Sequence, residues 1–139
     1  MSKRYYEWSM LMLRVVLGVI FLAHGLQKIS GFEGTVKFFS AVGLPALLAY
    51  VVTFIETVGG AFLILGLFTR IAAAAISLLL LGTIFTLLQL GKGFIGGYEF
   101  NLSLLSASVA LFLSGSNFFA LGNLVSSFTA NYLSKKSAK

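Results

Sequence analysis

Hydrophobic residues along this chain gather into four long runs instead of alternating with polar ones. The runs cover Met10–Ile29, Pro45–Leu67, Ile71–Leu90 and Phe100–Phe119, each 20 to 23 residues long. A hydrocarbon core of ~30 Å is crossed by about 20 helical residues, so each run can span a bilayer once. Helix is the expected form, because lipid offers the backbone no hydrogen-bond partner and strands survive at that depth only in a closed barrel. A chain this short, without alternating patterning, cannot close one. The expected fold class is therefore all-α: an integral-membrane, antiparallel four-helix bundle, as one domain over residues 1–139.

The connections are short, which makes neighbours in sequence neighbours in space. Thr69-Arg70 reads as a tight hairpin, and residues 91–98 link the third and fourth runs. In the longer link, Ser30-x-x-Glu33 reads as a capping box. Phe32, Val36 and Phe39 follow at helical spacing, and Gly43 with Pro45 closes that helix and opens the next. This predicts an amphipathic helix over about residues 31–42, lying on the membrane face. Leu121, Leu124, Val125, Phe128 and Tyr132 repeat the helical period before a lysine-rich end. They predict a second interfacial helix over about residues 121–134.

Composition supports the membrane reading. Hydrophobic residues make up 58% of the chain and charged residues 10%, too few to hydrate a soluble surface. The net charge of +6 does not indicate nucleic acid, because the basic residues sit at the ends of the apolar runs. Lys3, Arg4, Arg70, Lys135, Lys136 and Lys139 fall on one side, and Lys28, Lys37 and Lys92 on the other. That bias places both termini in the cytoplasm of a multi-pass protein of the cell membrane. The N-terminal basic residues resemble those of a signal peptide, but Arg14 and the lack of a small-residue cleavage site argue for a retained first span. There is no cysteine and a single histidine, which excludes disulfides, iron–sulfur clusters and bis-histidine haem within one chain.

Ionisable groups inside spans are costly and call for a reason. Arg14, Gly18, Phe21, His24, Gly25 and Lys28 fall within a sector of roughly 120° on the first helix. Glu56 lies near the middle of the second span beside Gly59 and Gly60. On the fourth, Glu99, Ser103, Ser106, Ala110 and Ser114 share a face whose small residues allow close helix approach. Counting ~1.5 Å per residue from the outer surface puts His24 at about 9 Å, Glu56 at about 16 Å and Arg14 at about 24 Å. An extended Arg14 is thus expected to pair with Glu56, with Lys28 and Glu99 near the outer mouth. A metal site made of one histidine and two carboxylates is disfavoured, since no spacing marks a ligand pair.

The pattern Arg14-x3-Gly18-x5-His24-Gly25-x2-Lys28, then Glu56-x2-Gly59-Gly60-x5-Gly66-Leu67-x-Thr69-Arg70, then Gly97-Tyr98-Glu99 resembles the DoxX family of small bacterial membrane proteins. Gly43-Leu44-Pro45 fits the same pattern. One departure lies after span four: the Ser-Leu-Asp common in the family is replaced by Ser116-Asn117-Phe118-Phe119-Ala120-Leu121-Gly122. The resemblance implies a four-helix bundle and a link to quinone and catechol chemistry.

The function expected from these readings is a membrane component of a quinone- or catechol-linked redox or detoxification process, an oxidoreductase or a subunit of one. A pocket between spans one, two and four would take a small aromatic or quinone head group. In it His24 would hydrogen-bond a ring oxygen, Glu56 would exchange a proton, and Arg14 would keep Glu56 charged. Phe21 and Tyr98 would flank the ring, with Lys28 and Glu99 at the mouth. His24 and Glu56 are the expected catalytic pair. The chain carries no cofactor of its own in this reading, and a quinone enters as substrate, so a protein partner or the substrate pair supplies electrons. Two rivals are a small proton-coupled exporter and a non-catalytic assembly module for other membrane enzymes. Homo-oligomer formation is left open.

Overall fold

The computed structural model describes residues 3–115 as helices joined by short turns, and four of the helices are long and apolar enough to cross a membrane. The expected helix at residues 121–134, the end of the fourth apolar run and the Ser116–Gly122 departure lie outside the described residues. Helix α1 runs Lys3–Ser30, α2 Phe32–Ala41, α3 Ala46–Leu65, α4 Thr69–Gln89 and α5 Phe94–Ser114. Helix α1 starts a full two turns before the apolar run, and Arg14 does not interrupt it.

The expected capping box does not form. Ser30 still belongs to α1, where its hydroxyl donates to the Gln27 carbonyl at 2.9 Å, and α2 begins after Gly31 with no side-chain cap. Its neighbour α1 simply outlasts the prediction by one residue and takes the serine with it. Helix α2 ends where Gly43 turns left-handed and Pro45 starts α3. In the middle of α3 one turn, Ile55–Gly59, widens to π geometry, with Glu56 inside it. The α3–α4 hairpin needs two left-handed residues on either side of Leu67, Gly66 at φ 71° and Phe68 at φ 46°. Glycine takes that region without a Cβ clash, whereas Phe68 is strained there. Helix α5 begins irregularly: Gly96 is left-handed, its N–H donates to the Glu99 carboxylate at 2.9 Å, and regular winding starts at Glu99. It ends at Ser114, five residues short of the apolar run, where Arg70 donates to the Leu113 carbonyl at 3.3 Å.

Two tight pairs make the bundle. Helices α1 and α3 meet along glycines: a Cβ on Gly60 would sit 2.5 Å from the Leu22 nitrogen, and one on Gly18 2.8 Å from the Gly60 carbonyl oxygen. Helices α4 and α5 meet at the Ser77–Ser108 hydroxyl pair, 2.8 Å apart. Leu17, Phe21, Leu63, Ala73, Ile76, Leu80 and Leu111 fill the space between the pairs. The buried face of α5 is Leu104, Ser108 and Leu111. The predicted seam through Ser106 is therefore corrected: Ser106 is exposed, and its hydroxyl bonds back to the Leu102 carbonyl. Large apolar residues such as Leu78, Phe85 and Leu113 point outward, as lipid-facing positions should.

Candidate functional site

The glycine seam sets the relative height of every polar group. Gly25 faces Thr57, Leu22 faces Gly60 and Gly18 faces Ile64, so numbers fall on α1 as they rise on α3. Continuing that register puts Glu56 level with Leu26, and Arg14 level with Phe68 at the hairpin. The two are thus about 18 Å apart along the axis, farther than a side chain reaches. Glu56 pairs instead with Lys28, whose Nζ donates to Oε2 at 2.6 Å. The expected Arg14–Glu56 pair is replaced because α3 starts higher than α1 ends: its first turns stand beside α2, where Phe32 and Tyr50 pack with ring centroids 4.5 Å apart. Counting each span from one common surface had placed Glu56 too deep.

The Lys28–Glu56 pair is unequally covered, with side-chain exposures of 26% and 7%. Its anionic half is inside the bundle and its cationic half reaches toward the α2 end. The π turn aims Glu56 inward together with Gly59 and Gly60, and such turns recur at functional sites. Thr53 and Thr57 flank it, and their hydroxyls donate to the Ala49 and Thr53 carbonyls at 2.7 and 2.8 Å. They leave no free donor competing for the carboxylate. The Thr53-x3-Thr57 spacing around Glu56 was the available sequence signal for this arrangement.

The other expected site residues divide. His24 lies one turn below Lys28 on the same strip of α1 and is exposed. Phe21, only 3% exposed, is part of the core beneath it. At the start of α5, Glu99 and Tyr98 are half-buried. The Glu99 carboxylate is engaged in the Gly96 turn, and Tyr98 meets Phe94 edge-on, with centroids 5.5 Å apart. Arg14, 1% exposed, is at the hairpin end and separate from the rest. The structure therefore pairs Lys28 with Glu56, sets His24 one turn away on α1, leaves Tyr98 and Glu99 within their own turn at the start of α5, and removes Arg14 to the hairpin end.

That end of the bundle is open. Phe21 and Leu104 are buried at 3% and 9% exposure; one turn above them Phe100 is 53% exposed, and His24 is exposed beside the buried Gly25. A separate apolar cleft of about 360 Å³ lies on the other flank of α1, lined by Ile29, Phe32, Tyr50, Thr53, Phe54, Thr57 and Val58. Thr53 and Thr57 form the wall between that cleft and Glu56. A carboxylate and an ammonium paired in this way can hydrogen-bond a small polar ring and exchange a proton with it.

Comparison with known proteins agrees with a membrane protein. The chain is 45% identical over 120 residues to the Bacillus subtilis (strain 168) protein named "Putative oxidoreductase CatD", covering 86% of this chain and 89% of that protein. Inner membrane protein YphA of Escherichia coli (strain K12) is 31% identical over 88 residues, 58% of this chain and 63% of the relative. Inner membrane protein YqjF of the same organism is 30% identical over 71 residues, 51% of this chain and 55% of the relative. No solved structure matches. The DoxX family model matches residues 9–89, the three spans that contain Lys28 and Glu56. With its four-span helical fold and this match over more than half its length, the chain is a multi-pass membrane protein of the DoxX family.

Proposed function

We propose that this protein is the membrane component of a quinone- or catechol-linked redox or detoxification process, and that the ring binds against the Lys28–Glu56 pair. The observation that carries the reading is that pair itself: a carboxylate only 7% exposed, set in a π turn, facing an ammonium. A buried pair costs desolvation, and well-packed apolar residues of similar volume are often at least as stabilising, so its presence in a lipid-soluble bundle favours a use for the charges. The relationship to a protein named for oxidoreductase activity points the same way.

In this reading the Lys28 ammonium donates to a ring oxygen and the Glu56 carboxylate takes up or returns its proton. His24, one turn below Lys28, offers a second hydrogen bond to the ring. Reducing a quinone to a quinol takes two electrons and two protons. With no cysteine and one histidine in the chain, the electrons come from a protein partner or from the substrate pair.

The test is equilibrium titration of the purified protein with a quinone and with a catechol. Lys28→Met is expected to weaken binding by roughly 10–100-fold, the worth of a hydrogen bond to a charged group. His24→Ala should cost less, about 1 kcal/mol. Lys37→Ala, on the exposed side of α2, should bind as the parent does. Failure of the parent to bind either compound up to its solubility limit would sink the reading in favour of an assembly module.

A further inference from the structure

Helices α1 and α5 touch at the hairpin end, where the Ser114 hydroxyl lies 3.2 Å from the Met10 sulfur. At 3.6 residues per turn, Ser103 lies about 20° from Ser114 around α5, and His24 about 40° from Met10 around α1. Both therefore point the way the touching residues point, three to four turns higher. Both are exposed. Their exposure points to two helices that meet at one end and part toward the other. The cause is visible in the pairing: glycines hold α1 against α3 as far up as Gly25 and Thr57, while the Ser77–Ser108 pair holds α5 against α4. No comparable seam holds α1 against α5 along their upper halves among the described residues.

We infer that this divergence is a lateral portal, and that the ligand of the Lys28–Glu56 site enters through it from the surrounding leaflet. The portal opens between neighbouring helices, at hydrocarbon depth, not through the loops at the top. Its lining is polar, with His24 and Gln27 on α1 and Ser103 on α5, all exposed. Polar side chains facing hydrocarbon are unfavourable, so the strip suits a passing group that carries oxygens. A molecule that is in the leaflet and also carries such oxygens is an amphiphile: an oxygenated aromatic ring with a hydrocarbon substituent. Its ring would move past His24 to Lys28 while its chain stays in lipid. The inference rests on the ring-binding reading above and narrows its substrate class to membrane-dissolved rings.

The native chain has no cysteine, so one introduced cysteine carries a nitroxide at a single position. In nanodiscs, a label at Ser103 should be as accessible to dissolved oxygen as one at Leu78, which is 72% exposed on α4. A decyl-substituted benzoquinone should reduce accessibility at Ser103 and leave Leu78 unchanged. Separately, Ser103→Trp should slow association of that quinone by about tenfold, within the range seen for altered contact surfaces. Leu78→Trp should not slow it. An oxygen-inaccessible label at Ser103 overturns the portal whatever binds. An unchanged association rate in Ser103→Trp overturns lateral entry but leaves the binding site standing, whereas a parent that binds no quinone removes the site itself.

Discussion

The Lys28–Glu56 pair concentrates the energetics of the site in two side chains. Removing one partner leaves a buried charge uncompensated, at a cost of about 3–5 kcal/mol in comparable buried pairs. Lys28→Met and Glu56→Gln are each expected to lower stability by that order. The double variant should recover most of the loss, because neither charge then remains. Binding separates structure from function: a purely architectural pair predicts a double variant that folds and binds like the parent, whereas a working pair predicts one that folds and does not bind. Thermal unfolding and the ring titration on the same preparations decide between them. Arg14 supplies the matching control. About 18 Å from Glu56 by the helix register, it should leave ring binding unchanged when replaced by methionine, whatever happens to stability. A lost affinity in Arg14→Met would contradict the register.

At the scale of elements, the α1–α3 seam is the most demanding part of the fold. A Cβ at Gly60 would meet the Leu22 nitrogen at 2.5 Å and the Gly18 carbonyl oxygen at 2.8 Å, both backbone atoms that cannot step aside. Gly60→Ala must push the helices apart and should destabilise by about 1–3 kcal/mol, as overpacked cores do. Gly59→Ala is the contrast at the neighbouring residue, since its Cβ would touch Ile76 at an ordinary 3.5 Å. Gly34→Ala, inside α2 with open space around it, should stabilise by roughly 0.5–1 kcal/mol by restricting the unfolded chain. Denaturation of the three variants in one detergent ranks them. A different order would mean that the seam is looser than its geometry. The other end of the same logic is Arg70, which closes the C-terminus of α5 through the Leu113 carbonyl, where a cation also meets the negative end of the helix.

For the molecule as a whole, the Lys/Arg distribution and the fold make one prediction together. The hairpin end carries Arg70 and the basic N-terminus, and the α2 end carries Lys28, Lys37 and Lys92. Reporters fused at Ser2 and Lys139 should both register cytoplasm, and one inserted in the link at residues 31–44 should register the outside. Termini on opposite sides would contradict a four-span chain. With that orientation the half of the bundle that holds the Lys28–Glu56 pair faces the outer leaflet. The closed half, where Met10 meets Ser114, faces the cytoplasm.

Hydropathy alone determined the number of spans and their helical form, because lipid leaves the backbone of a 20-residue apolar run no alternative; helix α2 was legible from the spacing of Phe32, Val36 and Phe39. The set of polar residues inside the membrane was also legible, since each is an exception to its surroundings. Which of them meet was not. Pairing depends on the height of one helix against another, and that height is set by the glycine seam and by α2 packing beside the first turns of α3. Neither leaves a mark in the length of an apolar run, so Arg14 looked near to Glu56 when Lys28 was its partner. The same holds for α5, where helical phase named Ser106, Ala110 and Ser114 as a close-packing run, whereas Ser106 is exposed and Ser108 is the serine turned inward, against Ser77. Periodicity ranks residues around one helix; only the packing of four decides which side is inside, and where two of them part.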